Sequence, residues 1–149
     1  SSRCFLRTAT MAKLSKVQDE LAKEGLGLKI FDGYRPRSVQ YKFWSLVPDE
    51  RYVADPKKGS KHNRGSAVDL TLVDLKTGKE LSMPSEFDDF TERAHRVYEK
   101  MSKKVAKNCK KLEDCMVKHG FIPLPTEWWH FDDADWQKYD LLDVAFDAL

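Results

Sequence analysis

No apolar run in these 149 residues approaches the roughly 20 that a membrane-spanning helix needs, and no signal-peptide pattern opens the chain. A surplus of one charge sign is lacking too. Lys+Arg number 26 against 24 Asp+Glu, and the net charge of +2 is scattered along the sequence. This excludes the dense basic stripe by which proteins hold nucleic acid or an anionic membrane surface. The Lys-rich stretch from Lys100 to Lys111 is interrupted at helical spacing by Met101, Val105 and Cys109, which reads as a solvated helix face. Cysteine is scarce: Cys4, Cys109 and Cys115 are an odd set without CxxC spacing. If residues 105–119 are helical, Cys109 and Cys115 sit six apart on different faces and cannot bridge. Buried reduced thiols follow, and they point to a reducing compartment such as the cytoplasm; a removed leader would leave the periplasm open. Repeats, low-complexity segments, linkers and coiled-coil heptads are missing as well. One domain over residues 1–149 is expected, and the sequence is silent on assembly.

What is present is enough apolar material, 41% of residues, for one sizeable core. Met11, Leu14, Val17, Leu21 and Ala22 recur at helical spacing, with Thr8 or Thr10 as N-cap and Gly25 as stop. Leu26 to Phe31 reads as a short strand, and Gly33-Tyr34-Arg35-Pro36 as a turn, since Pro36 biases Arg35 away from the α region. A second helix is expected over Ser38 to Leu46, a loop over 56–65, and a strand over Ala67 to Val73. Lys76-Thr77-Gly78-Lys79 then forms a hairpin turn returning through Glu80-Leu81. Phe90 to His119 reads as mostly helical, in one or two pieces. Phe121 to Leu124 starts another strand, interrupted by Pro123 and Pro125, which Trp128 to Phe131 continues. The expected fold is α+β, a small, mainly antiparallel sheet with packed helices.

Two compact segments carry the chemistry. The first is Ser60-Lys61-His62-Asn63-Arg64-Gly65-Ser66-Ala67-Val68-Asp69, and the second is Glu127-Trp128-Trp129-His130. Zn²⁺ accepts imidazole nitrogen and carboxylate oxygen at about 2.0–2.2 Å, so His62, Asp69 and His130 are an adequate ligand set. Three protein ligands leave a position free for water, as in catalytic rather than structural zinc centres. His62 and Asp69 are an odd number of residues apart, so they converge only if the chain bends between them, and Gly65 permits that. Glu127 lies three residues before His130 after an irregular start at Pro125. A carboxylate beside the ion, but not on it, suits a general base. Arg35, rigidly placed between Tyr34 and Pro36, suits an oxyanion donor, although a plain ion pair with Asp32 would also explain it. Taken singly, each histidine reads as a core or surface side chain, Glu127 as surface charge, and Trp128 and Trp129 as packing. Their joint occurrence in two segments is what points to a metal centre. His95 and His119 lie away from both segments and receive no chemistry.

With these residues in view, Asp32-Gly33-Tyr34-Arg35-Pro36, Ser60-x-His62-x-x-Gly65-x-Ala67-x-Asp69 and Glu127-Trp128-Trp129-His130 resemble the D-alanyl-D-alanine dipeptidases of the VanX type. These are zinc peptidases that share a fold with D-alanyl-D-alanine carboxypeptidases and the Hedgehog signalling domain. The likeness runs from about Arg3 to about Asp132, with the three motifs in order. It implies one Zn²⁺ per chain on His62, Asp69 and His130, Glu127 as catalytic base and Arg35 as oxyanion stabiliser. It also implies that Asp88, in Phe87-Asp88, holds the free ammonium of a small peptide substrate, and that Ser60 lies beside the dipeptide. The implied reaction is hydrolysis of D-Ala-D-Ala to D-alanine. The alternatives are a D,D- or L,D-carboxypeptidase or endopeptidase acting on peptidoglycan peptides, or a non-catalytic zinc module. Family members carry an N-terminal segment that helps close the pocket, whereas this sequence begins almost at the first helix. Either that segment was removed or the site is more open.

Overall fold

The helical spacing near the start is realised in α1 (Thr8–Ala22), which buries Leu14, Val17 and Leu21 along one stripe. The computed structural model describes residues 3–149. Neither threonine caps this helix: Arg7 occupies the N-cap position without a side-chain bond. Thr10 instead donates to the fully buried Asp133 at 2.6 Å, and Lys13 pairs with the same carboxylate. A buried carboxylate without partners is costly, and that demand outweighs a helix cap worth about 1 kcal/mol.

Among the described residues, four strands make one antiparallel sheet in the order β1 (Leu26–Asp32), β2 (Ala67–Asp74), β4 (Glu127–Asp133), β3 (Phe121–Leu124). The central strand β2 is buried on both faces. Val68, Leu70 and Leu72 join the core formed with α1 and α3 (Lys103–Lys118), including Val17, Leu112 and Met116. Strand alternation sends Ala67, Asp69 and Thr71 to the opposite face. Helices α1 and α3 therefore cover one face of the sheet, and polar side chains gather on the other, which α2 (Arg37–Leu46) and the loops wall in. The hairpin after β2 turns as expected: Asp74 Oδ1 accepts from the backbone N–H groups of Lys76 and Thr77, and Gly78 takes a positive φ. Its return is a single bridge, Val73 to Glu80, rather than a strand. No helix among the described residues is long and apolar enough to cross a membrane.

The largest departure from expectation lies between Phe90 and Ser102. Only a short 3₁₀ turn at Glu92–Ala94 forms there, and α3 begins at Lys103, capped by the Ser102 hydroxyl. The reason is Arg96. Its backbone N–H donates to the Pro125 carbonyl at 3.0 Å, and its buried guanidinium donates to the carbonyls of Leu124 and His130, both at 2.8 Å. The same guanidinium pairs with Glu113 and stacks over Phe131. Charged hydrogen bonds to these carbonyls outweigh helix propensities of a few tenths of a kcal/mol per residue. Arg96→Met should therefore lower stability by about 3 kcal/mol in urea unfolding, since two carbonyls and Glu113 lose their donor. A loss under about 1 kcal/mol would show that the clamp is unimportant.

Within α3, Lys103, Lys104, Lys107 and Lys110 are exposed, as a solvated face requires. Cys109 and Cys115 are buried free thiols, and Cys4 is also free. Burial pushes the Cys115 thiol up to about 11, so it stays protonated at neutral pH.

Candidate active site

His62 stands in a 3₁₀ turn, Lys61–Arg64, whose start is closed by reciprocal bonds. The Ser60 hydroxyl accepts from the His62 N–H at 3.2 Å, and the Asn63 side-chain oxygen accepts from the Ser60 N–H at 2.8 Å. Gly65 then takes a left-handed φ of 67° and turns the chain into β2. A Cβ there would meet the Arg7 backbone nitrogen at 3.3 Å. This is the bend that lets His62 and Asp69 share a face. The C-terminal tail braces the turn: Leu142 donates to the Asn63 carbonyl, while the Val144 N–H and carbonyl both bond the Tyr34 hydroxyl.

Asp69 and His130 are direct cross-strand partners, so their side chains emerge together. His130 Nδ1 lies 2.9 Å from Asp69 Oδ1, and His62 Nε2 lies 3.4 Å from the same oxygen. All three side chains are nearly buried, and their ligand atoms lie within 4.8 Å of one another. The outer nitrogens explain the inner ones. His62 Nδ1 donates to the Gly33 carbonyl at 2.7 Å, and His130 Nε2 donates to Asp132 Oδ1 at 2.8 Å. Both acceptors demand a proton on the outer nitrogen, which leaves each neutral ring a bare lone pair facing Asp69. Two lone pairs converging on a carboxylate repel one another unless a cation lies between them. The donor set therefore fits a divalent ion. Burial disfavours a charged His130, yet the bonds to Asp132 and Asp69 push its pKa up to about 10. Burial likewise opposes a charged Asp69, but the facing His62 and His130 hold it well below the usual carboxylate range.

Glu127 reaches the same cleft because β4 is irregular. Its register against β3 slips between Pro123 and Leu124, so Glu127 and His130, three apart, do not alternate as on a regular strand. Glu127 Oε2 sits 3.9 Å from His130 Nδ1, close to the ligand atoms without joining them. Burial, reinforced by Asp69 and Asp88, pushes its carboxyl above the ordinary value, while His130 and His62 counter it.

Arg35 does pair with Asp32, through Nε at 3.1 Å and Nη2 at 2.5 Å. Nη1 donates to Gln40 at 2.7 Å, and the guanidinium lies over the Phe43 ring. Of its five N–H donors, three are engaged among the described residues, leaving two for a ligand. The ion pair and the cleft-facing position thus coexist. Asp88 adopts a left-handed φ of 61°, beside Phe87, which stacks on Phe31 at 4.5 Å and meets Trp129 edge-on. Asp88 is exposed at the edge of the cleft, where partial desolvation and the Asp69 charge raise its carboxyl, with Arg35 opposing. Ser60, Arg35, Asp88, Glu127 and the three ligand residues all line one cleft of about 740 Å³. Of the two histidines given no chemistry, His119 pairs with Glu20 at 2.7 Å, and His95 follows the short turn outside any helix.

Sequence reasoning missed Asp132, Gln40 and the Gly33 carbonyl. Asp132 carried a signal, since residues two apart on a strand share a face. Gln40 and Gly33 carried none.

An antiparallel sheet with helices on one face, and a His–Asp–His group flanked by an acid and a guanidinium on the other, defines a metal-dependent peptidase. The M15 peptidase model, described as D-Ala-D-Ala dipeptidase, matches residues 1–146. The chain belongs to this family. It is 37% identical over 148 residues to the D-alanyl-D-alanine dipeptidase of Escherichia coli K12, covering 99% of this chain and 76% of that protein. It is 35% identical over 136 residues to the Enterococcus faecium enzyme of the same name, covering 79% and 67%. Among solved structures, the fold matches VanYB in complex with D-alanine-D-alanine at a TM-score of 0.57 and 16% identity, over 89% of this chain and 74% of that one. It also matches a variant of the vancomycin-resistance D,D-pentapeptidase VanY in complex with Zn(II), at 0.53 and 16%, over 87% and 72%.

Proposed function

We propose that this protein hydrolyses the free dipeptide D-Ala-D-Ala to two D-alanines, with one Zn²⁺ held by His62, Asp69 and His130. The observation that carries this reading is the placement of Glu127 and Arg35 at the rim of the His–Asp–His group in a single cleft. A module that held zinc only for structure would need neither. Zinc, when bound, supplies a Lewis acid and lowers the pKa of a water molecule to about 7.

Glu127 takes a proton from the attacking water as its oxygen adds to the scissile carbonyl carbon. Arg35 donates its free N–H groups to the carbonyl oxygen as negative charge develops there. The C–N bond then breaks, and Glu127 returns the proton to the leaving amine, so that the residue ends as it began. Asp88 receives the substrate ammonium at the cleft mouth. Ser60, whose oxygen accepts from the His62 N–H, keeps its O–H free to donate to the dipeptide. An N-acylated substrate would leave Asp88 unpaired.

The test is zinc-loaded protein assayed with D-Ala-D-Ala, L-Ala-L-Ala and N-acetyl-D-Ala-D-Ala. The free D,D-dipeptide should exceed each of the others in kcat/KM by at least about 10²-fold. Preference for an acylated peptide ending in D-Ala-D-Ala would make the protein a carboxypeptidase instead.

A further inference from the structure

We propose that Asp132 is a positioning residue of the metal centre: its carboxylate fixes the orientation and the basicity of His130 as a ligand. The proposal rests on the metal-binding reading above and goes beyond it. Asp132 lies two residues past His130 on β4, with its backbone paired to Ala67 on one side and Ile122 on the other. Both neighbouring strands therefore fix its position. Its Oδ1 accepts from His130 Nε2 at 2.8 Å, on the ring edge opposite Nδ1, which faces Asp69. The side chain is largely buried, so water competes poorly for that bond. The other carboxylate oxygen lies 3.8 Å from the Lys61 ammonium, which itself sits over the Trp136 ring.

The two histidines are not supported alike. His62 has a neutral backbone carbonyl behind it, whereas His130 has a full negative charge. A charged acceptor draws the Nε2 proton more strongly and enriches the electron density on Nδ1, making that nitrogen the better donor to a cation. Asp132 also adds negative charge beside the group, next to that of Asp69 and Glu127.

Asp132→Asn and Asp132→Ala should each be measured for zinc affinity by chelator competition, for melting temperature without metal, and for the ring-nitrogen resonances of His130. Zinc affinity should fall about 10- to 100-fold in Asp132→Ala and about 10-fold in Asp132→Asn. The metal-free melting temperature should fall, since the buried His130 ring loses a partner, and the His130 nitrogen shifts should move. The asparagine variant decides the matter if the alanine variant does not fold. It fills the same space, so zinc affinity equal to wild type would mean that Asp132 only occupies volume, and the proposal would be wrong. Wild-type protein that takes up no stoichiometric zinc would instead overturn the metal reading itself.

Discussion

Glu127→Gln should lower kcat by about 10³-fold on D-Ala-D-Ala while one zinc per chain stays bound. Glutamine keeps the shape and the polar contacts of glutamate but cannot accept the proton of the attacking water. Glu127 Oε2 stands 3.9 Å from His130 Nδ1, whereas the two histidines close on Asp69 at 2.9 and 3.4 Å, so Glu127 is proposed to lie beside the ion and off it. Burial raises the Glu127 carboxyl above its ordinary value, with Asp69 and Asp88 adding to the shift and His130 and His62 opposing it. The measurement pairs turnover of the dipeptide with metal content by mass spectrometry. Turnover within tenfold of wild type would remove Glu127 from the chemistry, and loss of the metal would make it a ligand instead.

Arg35→Lys should cost about 10²–10³ in kcat/KM, again with zinc retained. The substitution preserves the charge, so a purely long-range electrostatic role would leave the rate nearly intact. What it removes is the planar fork. Asp32 and Gln40 hold the guanidinium through three N–H groups, and the Phe43 ring lies beneath it. A lysine ammonium cannot satisfy those partners and still present two fixed donors to a carbonyl oxygen. Arg35 is anchored through its backbone as well: its N–H donates to the His62 carbonyl, and its own carbonyl accepts from Asn63. Arg35 and His62 are thus parts of one rigid corner. A drop of less than tenfold would assign Arg35 to that corner's architecture alone.

Much of this arrangement was legible beforehand, and for identifiable reasons. The run from Ala67 to Val73 reads as a strand, rich in β-branched and apolar residues, and β2 is that strand, buried on both faces. Gly65 was the one residue between His62 and Asp69 able to reverse the backbone, and its left-handed conformation does so. By contrast, residues 91–102 have the composition of a helix and form almost none. Arg96 is drawn away by carbonyls 28 and 34 residues further along the chain, and no local pattern reports such partners. Thr10 was misread as a cap for the same reason: Asp133, 123 residues distant, claims its hydroxyl.

The sequence by itself determined the donor chemistry: which side chains could hold a cation, which acid and which guanidinium could serve it, and which strands could carry them. Those properties belong to residue type and to the period of the backbone. Only the tertiary structure decided which nitrogen of each imidazole turns inward. That choice depends on the partner behind each ring, and for His62 the partner is a carbonyl 29 residues away in the chain. A lone pair's direction is set by hydrogen bonds made through space, and these exist only once the sheet and its loops have closed.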